Sequence, residues 1–377
     1  MMSKKTVKAF YELLRAGLWE KEYRFSTYDR VNFMELYRLA KDQSVLGVLL
    51  SGIEQCRKND IQLVGLPQEL LLQWIGTVQI LEQHNVAMNK FIGKLVDKMR
   101  QADIYTLLVK GQGIAQCYEK PLWRNCGDID FFLSEENYNK AKSFLCPLAT
   151  EIEPEGRYLK HSAFTIDGWT VELHGNLRTR HSIRMDKGID EVQKDTFQNN
   201  NVRTIRLGNT DVFLPSPDND VIFIFTHFLK HFFGGGIGVR QLCDWCRLMW
   251  THRSEIKPEL LETRLRKMGI LSEWKAFAAY AVRYLGMPPE AMPMYSAEKK
   301  WQRKADKISK IILQSGTFGH ADLSYIHRDS LMLRKIKSFW KGTKERFRLI
   351  SVFPLDALAF YAFFLVNRSD ATMKGEL

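Results

Sequence analysis

The sequence predicts an α+β fold, a small mixed sheet with a helical region on either side of it in the chain. Three observations predict it. Apolar residues recur every three or four positions through roughly the first hundred residues. Short strand-like runs separated by turn residues follow, between Ile104 and Leu214. After Pro217 the helical spacing returns. On this reading the chain divides into an N-terminal helical region (1–101), a central core (102–216) and a C-terminal helical region with a basic tail (217–377).

Residues 6–17 read as a short amphipathic helix. A second starts near Asn32, with Phe33, Leu36, Tyr37 and Leu39 on one side, and the apolar stretch from Val45 to Ile53 extends that layer. Pro67 suits the first turn of a long helix reaching Gln101, whose apolar positions include Leu70, Trp74, Val78, Ile92 and Val96. Ile104–Val109 is a strand that ends at Lys110-Gly111, and a helical turn follows over 113–117. Asp128–Leu133 is the next strand. Ser134 then caps a helix with Glu135 and Glu136 in its first turn, which stops at Pro147. Leu159–Ile166 and Trp169–Leu173 flank Asp167-Gly168, a hairpin signal. Residues 202–214 add one or two weaker strands. Helices are then expected over 218–233, 240–251, 258–268, 271–285 and 298–314, with Asp218 as the cap of the first and a glycine break at 234–236.

The chain has 377 residues, room for two or three domains, and its 45% hydrophobic and 26% charged content is that of a globular protein. No signal segment is read at the N-terminus. Six irregularly spaced cysteines point to reduced thiols and a cytoplasmic location. Cys243 and Cys246 form a lone Cys-x-x-Cys on a helix and belong to its apolar layer rather than to a metal or redox site.

The chemistry concentrates in two runs, Leu107–Gly113 and Arg124–Phe132. Alternate residues of a strand share a face, so Asp128 and Asp130 point the same way. Adjacent carboxylates repel and raise one another's pKa unless a cation compensates. An all-oxygen donor pair suits Mg²⁺ or Mn²⁺. An exposed pair of strand aspartates without a metal is the plainer alternative.

Lys110-Gly111, Arg124 and Asp128-Ile129-Asp130 together resemble the DNA polymerase β-type nucleotidyltransferase superfamily, and more closely a bacterial family of uncharacterised nucleotidyltransferases. The resemblance is firm over about 100–180. It implies transfer of a nucleotidyl group from an NTP to an acceptor hydroxyl, with release of pyrophosphate. It makes Val171-Glu172-Leu173-His174 the strand of the third carboxylate, so that Asp128, Asp130 and Glu172 would hold the metals and act in catalysis. The superfamily usually carries Gly-Ser in the turn where this chain has Gly111-Gln112.

Around that triad, the Lys110, Gly111 and Gln112 turn can cradle phosphates through backbone N–H groups and a lysine charge. The Gly-x4-Gly-Lys-Ser/Thr order of a P-loop is absent. Arg124 either holds a phosphate or pairs with the carboxylates. His174, two residues past Glu172, orients substrate, assists Glu172 or is a packed structural histidine. His227, Lys230 and His231 lie on the helix after Pro217, with His227 and His231 one turn apart. The resemblance suggests nucleotide or acceptor contact there, and no further ligands support a zinc site. Arg240 and Asp244, also one turn apart, read as a structural pair. The acceptor is not identified. Other readings of the chain are a nucleotide-binding regulatory protein of the same fold or a basic nucleic-acid-binding module.

The net charge is +12, and 298–348 holds fourteen Lys and Arg against five Asp and Glu. That tail is either a solvated helix face or a peripheral contact for an anionic partner such as a membrane surface. The apolar run 350–366 contains Pro354 and Asp356, which weigh against a transmembrane span.

Overall fold

The computed structural model describes residues 3–19, 31–61, 63–153, 155, 160–234, 236–315, 349–354 and 357. Three helices, α1 (Lys4–Leu18), α2 (Phe33–Asp42) and α3 (Leu46–Lys58), precede the long α4 (Gln68–Gln101). Ser3 and Asn32 cap α1 and α2, their side chains accepting the amides of Thr6 and Glu35. A Cβ at Gly52 of α3 would run into the carbonyl of Leu13 on α1, so this crossing needs glycine.

The core alternates β1 (Leu107–Val109), α5 (Gly111–Ala115), β2 (Asp128–Phe132), α6 (Glu135–Leu145), β3 (Glu151–Glu153), β4 (His161–Ile166), β5 (Trp169–His174), α7 (Ile183–Gln198), β6 (Val202–Leu207) and β7 (Thr210–Pro215). The strands form one seven-stranded mixed sheet in the order β3-β4-β5-β2-β1-β7-β6. β2 runs parallel to β5, and β1 parallel to β7; the other neighbours are antiparallel. The Asp167-Gly168 hairpin forms as expected, both residues at positive φ. Two elements go beyond the sequence expectation. The edge strand β3 is exposed throughout, so no apolar alternation marks it. The helix α7 does carry the spacing, with Met185, Ile189, Val192 and Thr196 buried, and Ser182 caps it.

The helices α8 (Pro217–Gly234), α9 (Val239–Thr251), α10 (Pro258–Met268), α11 (Leu271–Tyr280) and α12 (Lys299–Ser315) follow. Asp218 lies inside the first turn of α8, and its Oδ1 accepts the amide of Lys257 ahead of α10. The basic amphipathic helix expected over 330–349 lies outside the described residues except for Leu349, as does most of the apolar run 350–366. No helix among the described residues is long and apolar enough to cross a membrane.

The two faces of the sheet meet different partners. Ile129, Phe131, Val171 and Leu173 pack with Met88, Ile92 and Met99 of α4 and Tyr138 of α6. Phe132, on the opposite face, joins the larger core shared by α1–α3 and α8–α12, and its ring meets Phe223 of α8 edge-on at 5.5 Å. Asp128 and Asp130 alternate with Ile129 and Phe131 and so lie on the face that α8 covers.

Candidate active site

β2 presents Asp128 and Asp130, and its parallel neighbour β5 sets Glu172 directly beside Asp130 and His174 beside Phe132. Oxygens of Asp128, Asp130 and Glu172 all lie within 4.8 Å of one another. Between β1 and α5 the chain turns sharply. Lys110 takes φ 58°, ψ −142°, a strained conformation for a residue with a side chain, and Gly111 follows at φ 36°. The turn brings Lys110 Nζ to 2.8 Å from Asp130 Oδ1. His174 Nε2 lies 2.7 Å from the same oxygen and 3.4 Å from Glu172 Oε2. His161 of β4, the register partner of His174, puts its Nε2 3.0 Å from Glu172 Oε2.

The charges in this cluster are unevenly balanced. Repulsion from Asp130, and then burial, raise the pKa of Asp128. Burial pushes Asp130 up as well, but Lys110 and His174 outweigh it and hold Asp130 below the usual carboxylate range. Glu172 is likewise held low by hydrogen bonds from His161 and His174 against its burial. His174 is raised: burial and Lys110 disfavour its charge, and the two carboxylates overcome them. Asp128 is thus left with a net repulsion that Lys110 and Arg240 offset only in part, in a donor set made of oxygens. That set fits a divalent cation of the Mg²⁺ or Mn²⁺ kind.

Two adjoining cavities meet at the cluster and share Lys110, Glu172, Ile224, His227 and His231. The smaller, about 160 Å³, is lined by Gly111, Asp128, Asp130 and Arg240. The larger, about 250 Å³, is lined by His161, His174, Asn176, Thr179, Asp220 and Lys230. The two α8 imidazoles are kept uncharged at neutral pH. Burial and nearby cations push His227 well down and His231 to about 4, and Lys230 is lowered as well.

The expected site residues therefore meet, with two qualifications. Arg124 lines the smaller cavity, but the carboxylate it pairs with is Asp244 of α9, not Asp128 or Asp130. This also overturns the Arg240–Asp244 pair. Asp244 accepts from Arg124 and Tyr118, while Arg240 Nη1 donates to the carbonyl of Asn125. Gln112 is 1% exposed, and its Nε2 donates to Asn85 Oδ1 in the core, so its side chain is turned away from the cavities.

Two lining residues with chemistry to offer, His161 and Arg240, stand outside the set that the sequence assigns to the site. His161 is brought in by the hairpin register. Arg240 lines the smaller cavity with a buried Nε that has no hydrogen-bond partner.

No curated protein and no solved structure matches the chain. The model of one family covers residues 29–286, a span that takes in α2 to α11, the whole sheet and both cavities. The chain belongs to that family, the uncharacterised nucleotidyltransferases.

Proposed function

We propose that the protein is a metal-dependent nucleotidyltransferase that moves an NMP group from an NTP to an acceptor hydroxyl. The observation that carries this reading is the cluster of three carboxylates on adjacent strands beside a glycine turn, with two cavities meeting at it. Asp128, Asp130 and Glu172 would hold the divalent cation, which when bound neutralises charge developing on the α-phosphate and the departing pyrophosphate.

The chain's own groups divide the remaining work. The backbone at Gly111 leaves room for a phosphate to approach, and Lys110 and Arg240 supply positive charge on that side. Glu172, kept ionised by His161 and His174, accepts a hydrogen bond from the acceptor hydroxyl and orients it. The acceptor oxygen forms a bond to the α-phosphorus as the bond to the pyrophosphate oxygen breaks. The hydroxyl proton passes to Glu172 and on to solvent. An intact triad favours catalysis over a regulatory protein that merely binds nucleotide.

The test is pyrophosphate release from each NTP in the presence of Mg²⁺ or Mn²⁺ and a fractionated metabolite extract. Asp128→Asn/Asp130→Asn is expected to abolish both release and the metal binding seen by calorimetry. Undiminished release in that double variant would sink the reading.

A further inference from the structure

The two cavities differ in chemistry, and the difference bears on the acceptor. The smaller one holds Asp128, Asp130, the glycine turn and Arg240, the groups suited to a metal-bound triphosphate. The larger one lies on the β4–β5 side of Glu172 and contains neither Asp128 nor Asp130. With Glu172 on the shared wall, a hydroxyl placed in the larger cavity would face the carboxylate that orients it.

Most charges around the larger cavity are already matched. Lys110 is paired with Asp130, Arg178 with Asp190, and Asp220 with Arg203. Glu172 lies against two imidazoles. Lys230 has no ion-pair partner among the described residues, and the neighbouring His227 and His231 add ring nitrogens without negative charge. Burial, then Lys110 and Arg180, disfavour the charge on Lys230, and Asp186 and Glu172 offset them only in part, so an anion placed beside Lys230 would relieve it. Elsewhere on the same helix Asp220 Oδ1 is buried without a hydrogen-bond partner. It offers an acceptor to a ligand hydroxyl. A volume of about 250 Å³ is below the roughly 300–1,000 Å³ of pockets for drug-sized ligands, so the cavity suits a small molecule or the end of a chain.

From this we infer that the larger cavity is the acceptor subsite, and that the acceptor is a small polyhydroxylated molecule or terminal unit bearing a phosphate or carboxylate. Lys230, assisted by His227 and His231, holds the anionic group, and Glu172 receives the reacting hydroxyl. This rests on the nucleotidyl-transfer reading and narrows it to a substrate class.

The test uses two measurements on the full chain. First, NTP-dependent pyrophosphate release is followed with three panels of acceptors: sugar monophosphates, hydroxycarboxylates and neutral sugars. One anionic panel, identifying the anion, is expected to exceed the neutral panel by at least tenfold. Second, calorimetry measures binding of the same anions, and separately of NTP, to wild type, Lys230→Met and Lys230→Arg. Lys230→Met is expected to weaken anion binding at least tenfold with NTP affinity within twofold of wild type, and Lys230→Arg to restore most of it. Equal use of neutral acceptors, or loss of NTP and anion binding together in a folded Lys230→Met protein, would overturn the assignment. Anion binding that depends on Lys230 in a protein that binds no NTP would instead count against nucleotidyl transfer and leave the anion subsite standing.

Discussion

Arg124, just before β2, and Asp244, on α9, form a buried two-point ion pair, with Nε–Oδ1 at 3.1 Å and Nη2–Oδ2 at 2.6 Å. Arg124 is only 5% exposed, and the pair ties the segment entering the aspartate strand to the helix behind the smaller cavity. Removing one partner leaves the other charge buried and unmatched, at a cost of about 3–5 kcal/mol. Asp244→Asn and Arg124→Met are each expected to lower the melting temperature by several degrees. The double variant Arg124→Met/Asp244→Leu should recover most of that loss. Additive losses in the double variant would show that the two side chains act independently.

Arg240 gives a test of the phosphate side. Its Nε has no hydrogen-bond partner although it is buried, and burial with the nearby Arg124 disfavours its charge. A phosphate would satisfy both deficits, and hydrogen bonds to charged groups contribute about 1.5–3 kcal/mol. Arg240→Gln should therefore weaken NTP binding by about ten- to a hundredfold. Equilibrium titration with a fluorescent NTP analogue decides it, and wild-type affinity in the variant would remove Arg240 from the site.

The depressed pKa of His231 on α8 predicts an acid limb in the stability curve. His231 titrates near 6.5 in the unfolded chain and at about 4 in the folded one, because burial, Lys230 and Lys110 disfavour its charge. The unfolded chain thus takes up a proton that the folded chain refuses. The stability held above pH 6.5 is lost as pH falls toward 4, at about 1.4 kcal/mol for each tenfold difference in proton affinity between the two states. His174 runs the other way. Its raised pKa contributes stability that is full below 6.5 and fades as pH rises through the folded value. Denaturant melts from pH 4 to 7 should show His231→Gln losing less stability on acidification than wild type. Parallel curves would mean that His231 does not carry the effect.

Much of the site could be read from residue order because its relations are local. Asp128 and Asp130 share a face by strand alternation alone, and the turn at Gly111 follows directly from Lys110. What could not be read depends on register between distant segments. His161 reaches Glu172 only because β4 and β5 pair so that His161 faces His174. Arg240 and Asp244 have the spacing of a helical pair, but a partner 120 residues away holds Asp244 more closely. Gln112 lies beside the glycine, yet its side chain serves Asn85 of α4, a contact that adjacency in the chain does not reveal.

The hairpin joining β4 to β5 has a consequence for inherited or engineered variation. Asp167 and Gly168, at φ 50° and 79°, set which residues of the two strands face one another. A slip of one residue would send the whole of one strand's alternation to the opposite side of the sheet. His161 would exchange places with Ser162 and leave Glu172 without one of its two imidazoles. Substitutions that shorten or stiffen this two-residue turn would then resemble active-site lesions in a mutational scan. Their loss-of-function pattern would be hard to distinguish from that of changes at His161 itself, although neither turn residue borders either cavity.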